Sequence, residues 1–140
     1  MGRHKALWAA LLAAPLFWWL LSFVMPLARP FDGSLGAPLL YLQLAFIYPL
    51  LEEIVFRGAI QPALHRRLNR RRWGALSGAN LVTSLLFSLM HGVFRSAPAA
   101  LLVFAPSLLF GYFRDRYDGV AIPIVLHCYY NAGFYWLFWG

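Results

Sequence analysis

At 140 residues the chain is one domain long, and its make-up excludes a soluble one: 61% of residues are hydrophobic and only 12% charged, against about 25% charged in an average soluble domain. A chain this short builds no core large enough to hide that apolar surface, whereas a bilayer accommodates it. The net charge of +7 sits in short tracts between apolar runs rather than along a polar face, which is the pattern of loops flanking membrane spans and excludes a nucleic-acid footprint.

Five apolar runs predict an all-α, polytopic transmembrane helix bundle forming a single domain over residues 1–140. The first span, 6–28, follows Arg3, His4 and Lys5. A basic start and an apolar run also describe a signal peptide, but the apolar region of a signal peptide is about 7–15 residues. This run is longer and reads as an uncleaved span, with a turn-rich exit through Arg29, Pro30, Asp32 and Gly33. The second span, 37–64, carries Glu52, Glu53 and Arg57, and the tract from His65 to Arg72 adds five arginines. The third, 73–92, is followed by a loop with Arg95 and Ser96. The fourth, 97–113, is the shortest and contains Pro106, which membrane helices tolerate when neighbours re-satisfy the freed backbone groups. A charged loop from Arg114 to Gly119 leads to the fifth, 120–139.

The basic tracts set an orientation. The arginine-rich loop and the Arg3/Lys5 end belong in the cytoplasm, so five spans place the amino terminus inside and the carboxyl terminus outside. Trp73, Tyr135, Trp136, Phe138 and Trp139 suit interface belts. The single cysteine, Cys128, lies in an apolar run and reads as a small hydrophobe; it excludes an internal disulfide and a Cys-based metal cluster.

Of the seventeen Asp, Glu, Lys and Arg residues, the predicted spans hold only Glu52, Glu53 and Arg57. A charge at the centre of a membrane helix costs about 2.5–3.5 kcal/mol on insertion scales, so such residues pair, neutralise or face a wet cavity, and mark function by default. Glu53 and Arg57 are four apart and share a helix face, which predicts an ion pair. Glu52 is rotated by about 100° and projects elsewhere, into the bundle. A purely structural polar clamp is the competing reading. His91 on the third span, and His127 and Asn131 four apart on one face of the fifth, weigh against the clamp. Counted inward from the cytoplasmic side at about 1.5 Å per residue, Glu52 lies about 18 Å deep, His127 about 12 Å, Asn131 about 18 Å and His91 about 27 Å. His91 is thus the outlier, unless helix tilt, or a third span that starts beyond the lipid surface, absorbs the difference.

Glu52-Glu53-x-x-x-Arg57, Phe87-x-x-x-His91 and His127-x-x-x-Asn131 occur in that order on successive spans. This set resembles the CAAX protease and bacteriocin-processing (Abi or Rce1-like) family of glutamate-type intramembrane endopeptidases, and all three motifs match. The chain looks shorter than most members, as a minimal core lacking peripheral helices would, and within the family it resembles a small branch associated with carboxy-terminal sorting signals. The resemblance implies a bacterial inner-membrane location. It further implies that Glu52 is the general base, that His91 holds and polarises the water, and that His127 and Asn131 donate to the oxyanion. Glu53 and Arg57 then support Glu52, and no metal or other cofactor takes part. The implied partners are membrane lipid and a protein or peptide substrate with a membrane-associated segment: a prenylated carboxy terminus, a leader peptide or a sorting signal. Oligomeric state stays open.

Other chemistries have weaker signatures. Two histidines and a glutamate are a known zinc set, but no His-Glu-x-x-His is present. A serine protease would use Ser77-Gly78, yet Ala75 stands where a glycine belongs. An aspartyl type would need Asp115 and Asp118, which read as solvated loop residues. A non-catalytic immunity or scaffold protein remains a distinct class, and a proton transporter calls for repeats and broken helices.

Overall fold

The structure, a computed structural model, describes residues 2–28, 37–68, 71–117 and 119–138. Among these residues lie five helices: α1 (Arg3–Leu21), α2 (Ala37–Arg67), α3 (Gly78–Phe94), α4 (Ala97–Tyr117) and α5 (Ala121–Phe138). A small antiparallel hairpin, β1 (Arg72–Trp73) with β2 (Leu76–Ser77), precedes α3. The protein is an all-α membrane helix bundle. By length and composition α1 and α2 are each sufficient to cross a membrane, and α3 is a shorter apolar helix.

Several boundaries differ from the sequence expectation. Helix α1 stops at Leu21 rather than continuing to Ala28, because the chain tightens there. The amides of Phe23 and Val24 donate to Leu20 and Leu21, three residues back, and Pro26 has no amide to resume the ladder. The third apolar run opens as a hairpin instead of a helix: Gly74, at φ +60°, makes the turn, and α3 starts only at Gly78. Ser77 is the N-cap, its hydroxyl accepting from the Asn80 amide at 3.0 Å. Helix α4 runs on to Tyr117, so Arg114, Asp115 and Arg116 are helical and not in a loop. The expected turn around Asp32, and Asn69, Arg70, Asp118 and Trp139, lie outside the described residues.

The chain forms two compact units. The first comprises Met1–Leu50 and Val125–Gly140, the second Leu51–Ile124. In the first, Ala6, Ala10 and Ala14, spaced at one helical turn, are buried. The Tyr130 hydroxyl donates to the Ala10 carbonyl at 2.8 Å. Trp18 packs on Tyr129 with ring centroids 5.4 Å apart, and a Cβ at Gly133 would fall within 2.2 Å of the Trp18 ring. In the second unit α3 and α4 pack along their lengths. Buried Asn80 donates to the Leu108 carbonyl at 2.9 Å and accepts from Ser84 at 3.1 Å.

Among the described helices, α2 has the least regular backbone. It widens to a π-helix twice, at Gln43–Ile47 and Ile54–Ile60, and both stretches have the same cause. The Tyr48 amide donates to Gln43, five residues back, so the Leu44 carbonyl loses its α-helical donor. Its π-helical donor would be residue 49, which is Pro49 and carries no N–H. The pattern repeats: the Gln61 amide donates to Phe56, and the next π donor, for the Arg57 carbonyl, would be Pro62. Each proline therefore strips one carbonyl of both helical donors, and an orphaned carbonyl in a membrane helix must find a partner. Side chains supply it. Asn131 Nδ2 donates to Leu44 O at 3.0 Å, within the first unit, and Arg114 Nε donates to Arg57 O at 2.9 Å, within the second.

Candidate active site

The second unit contains the charged cluster. Glu53 and Arg57 are fully buried, and Arg57 Nη1 donates to Glu53 Oε1 at 2.9 Å, the ion pair expected from their spacing. Arg57 Nη2 donates to the carbonyl and hydroxyl oxygens of Ser107 on α4, at 2.7 and 2.6 Å. The guanidinium also lies over Phe87 at 5.0 Å and Phe110 at 5.8 Å. A dry ion pair is tolerated only with such extra hydrogen bonds. Glu52 is partly exposed where Glu53 has no exposure, so adjacent carboxylates sit in different surroundings, and both act electrostatically on Arg57.

The polar stripe continues beyond the residues singled out from sequence. Gln61, fully buried, donates through Nε2 to Gly111 O at 2.9 Å and to Asp115 Oδ1 at 2.7 Å. His65 Nε2 meets the same Asp115 oxygen at 2.6 Å. Asp115 is thus no solvated loop residue: its side chain is 4% exposed and clasped by two residues of α2. Sequence reasoning missed Gln61, His65, Ser107 and Asp115. Gln61 and His65 had a signal, since they extend the four-residue spacing of Glu53 and Arg57. Ser77, weighed as a nucleophile, is fully buried and occupied in capping α3.

His91 belongs to this unit as well. Its Nδ1 lies 3.0 Å from the Phe87 carbonyl. A carbonyl only accepts, so Nδ1 carries the proton and the neutral ring keeps its lone pair on Nε2. Phe87 stacks beside His91 at 4.5 Å and meets Phe56 of α2 edge-on at 5.1 Å. From that contact, one turn forward on α3 reaches His91 and one turn back on α2 reaches Glu52. The two helices run in opposite senses, so both steps go the same way. Counted from the observed helix ends, His91 lies about 20 Å beyond Gly78 and Glu52 about 22 Å before Arg67. The misfit in depth came from counting the hairpin as part of α3 and from ending α2 at Leu64, short of Arg67.

His127 and Asn131 lie in the first unit. His127 is 5% exposed. Asn131, one turn on, spends one Nδ2 proton on Leu44 O and has a second N–H to give.

Fold and residues together define an all-α membrane protein whose helices carry acid, histidine and amide groups in a fixed order. The type II CAAX prenyl endopeptidase Rce1-like family matches residues 34–133, a stretch that contains every one of these motif residues. Over 86 residues the chain is 34% identical to the membrane-embedded CAAX protease MroQ of Staphylococcus aureus (strain USA300), an alignment covering 61% of this chain and 34% of that relative. The chain therefore spans about a third of the relative's length. No solved structure matches. The chain belongs to the Rce1-like CAAX endopeptidase family, also called the CAAX protease and bacteriocin-processing family.

Proposed function

We propose that this protein is an intramembrane endopeptidase of the glutamate type, hydrolysing a peptide bond near a membrane-associated segment of a protein or peptide. The observation that carries the reading is the split of adjacent carboxylates: Glu53 is consumed by a buried ion pair, and Glu52, partly exposed, is placed on the same stretch of helix at the height of His91. Family membership supports the reaction class.

In this reading Glu52 takes a proton from water, and the water oxygen attacks the scissile carbonyl carbon. His91 Nε2 accepts a hydrogen bond from that water and fixes its lone pair. His127 and the second N–H of Asn131 donate to the developing oxyanion. The proton held by Glu52 passes to the leaving amine as the C–N bond breaks. A positioned base is worth about 10²–10⁴ in rate, and one oxyanion donor about 2.7–4 kcal/mol. All five helices act as spans, with the amino terminus cytoplasmic and the four motif-bearing positions working as one domain in a bacterial inner membrane. The substrate is of one of three chemical kinds: a prenylated carboxy terminus, a leader peptide or a carboxy-terminal sorting signal.

The test is cleavage by purified protein in detergent of a farnesylated CAAX peptide, a leader peptide and a sorting-signal peptide. Glu52→Gln and His91→Ala are each expected to abolish cleavage of the accepted peptide while leaving protein accumulation unchanged. Wild-type cleavage by both variants would overturn the assignment of roles. A cellular phenotype that survives Glu52→Gln would favour a non-catalytic immunity or scaffold protein.

A further inference from the structure

The prolines of α2 have no part in the proposed chemistry, yet one of them governs a residue that does. Pro49 is buried and follows the first π stretch, Gln43–Ile47. With the Tyr48 amide committed to Gln43 and no amide at Pro49, the Leu44 carbonyl is left to Asn131 Nδ2 at 3.0 Å. An asparagine carboxamide has two ends of similar shape and opposite polarity. A carbonyl acceptor takes only the NH₂ end, so Leu44 fixes which end of Asn131 points where. An oxyanion donor needs that definition, because a flipped amide would present its own oxygen to the developing negative charge.

We propose that Pro49 is a positioning residue. By forcing the π stretch it frees the Leu44 carbonyl, which orients the Asn131 carboxamide and aims its remaining N–H. The inference rests on the proposed role of Asn131 as an oxyanion donor, but its structural half stands within the first unit alone. Neighbouring contacts agree with a backbone held open for α5. The thiol of Cys128 lies 3.8 Å from the Phe46 carbonyl of the same π stretch, and the Tyr41 hydroxyl donates to the Ala132 carbonyl at 3.0 Å. An alanine at position 49 restores an amide, the helix relaxes to α register, and the Tyr48 amide returns to Leu44. Asn131 then loses its acceptor.

Two measurements on the full chain in detergent test this. The sequence contains three asparagines, Asn69, Asn80 and Asn131, so ¹⁵N-asparagine labelling gives a side-chain amide spectrum simple enough to assign with Asn131→Asp. In Pro49→Ala the Asn131 amide protons are expected to exchange with water at least tenfold faster, while Asn80 is unchanged. Pro62→Ala, which repairs the other π stretch, is expected to leave the Asn131 signal in place. Unchanged Asn131 exchange in Pro49→Ala would overturn the proposal whatever the activity. In steady-state cleavage of the accepted peptide, Pro49→Ala is expected to lower kcat by about tenfold to about a hundredfold with KM within about twofold, the signature of a misplaced group rather than lost binding. Faster exchange with full kcat, where Asn131→Ala is impaired, would overturn the positioning role and leave the endopeptidase reading intact. Full kcat in Asn131→Ala itself would overturn the oxyanion role of Asn131, and with it the positioning role of Pro49, while the endopeptidase reading stands.

Discussion

Arg57 and Ser107 stand fifty positions apart in sequence, and Nη2 of Arg57 donates to both oxygens of Ser107, carbonyl and hydroxyl. The same offset of fifty recurs at the next two turns, where Gln61 meets Gly111 and His65 meets Asp115. A constant offset means that α2 and α4 run parallel with matched turns. Sliding either helix by one turn, about 5.4 Å, would break all three links together. The seam thus fixes the height of the Glu52 segment within the second unit, and does so with residues that take no part in the proposed reaction.

The first prediction concerns the dry end of that seam. Glu53→Gln leaves the Arg57 guanidinium buried without its counter-charge, and Arg57→Met does the converse; removing one partner of a buried pair costs about 3–5 kcal/mol. Both variants are expected to accumulate poorly and unfold early in detergent. The double variant Glu53→Leu/Arg57→Met, which removes both charges, is expected to recover most of the loss. Thermal unfolding of the four proteins checks this, and a double variant no more stable than either single one would mean that the pair is not the stabilising element.

Much of this was legible in the sequence because hydrophobic run length reports membrane helices directly. The all-α membrane class, the Glu53–Arg57 pair and the family were read from it. What was not legible depended on contacts between distant segments. In Trp73 to Ser77 the local signals of a turn at Gly74 and an N-cap at Ser77 were outweighed by the apolar run, and that error misplaced His91. Asp115 lies between two arginines, Arg114 and Arg116, and a charged triplet reads as a loop. Only the approach of Gln61 and His65 makes it a buried helical residue. The π stretches escaped because a proline inside an apolar run predicts a kink without telling which carbonyl is set free.

At Gly111 the backbone of α4 comes close to α3. A Cβ there would lie 1.9 Å from Asn80 Oδ1, so the helices approach only because the side chain is absent. Gly111→Ala is expected to destabilise the protein by about 1–3 kcal/mol, as overpacking of a filled core does. Asn80→Ala in the same chain is expected to return part of that loss by vacating the space. The shift in unfolding temperature in detergent reads both effects, and an unshifted Gly111→Ala would show that α3 and α4 part more easily than their packing implies.

Ser77 separates a structural serine from a catalytic one. Its hydroxyl caps α3, and replacing a capping serine by alanine costs about 1 kcal/mol. Ser77→Ala is therefore expected to unfold somewhat earlier and to cleave at the wild-type rate per folded molecule. Complete inactivity in a folded Ser77→Ala would reinstate the serine mechanism.

Chelation distinguishes the glutamate mechanism from a zinc one, since two histidines and a glutamate are a known zinc set. Prolonged treatment with EDTA or phenanthroline is expected to leave peptide cleavage unchanged. Loss of cleavage that added zinc restores would assign Glu52, His91 and His127 to a metal instead of to water and oxyanion.

The wet end of the seam gives the last prediction. Asp115 Oδ1 receives both Gln61 Nε2 and His65 Nε2, and its side chain is 4% exposed while that of His65 is 25% exposed. His65 thus pairs with a carboxylate that has little access to water, and their coupling is expected to exceed that of a surface pair. A double-mutant cycle of His65→Ala and Asp115→Ala is expected to show an interaction energy of about 1 kcal/mol or more, within the range for residues sharing one network. Gln61→Leu is expected to weaken the coupling, because Gln61 holds the Asp115 oxygen in place from the same helix. Additive effects of the two single substitutions on the unfolding free energy would mean that His65 and Asp115 are neighbours without being partners, and that the seam ends at Gln61.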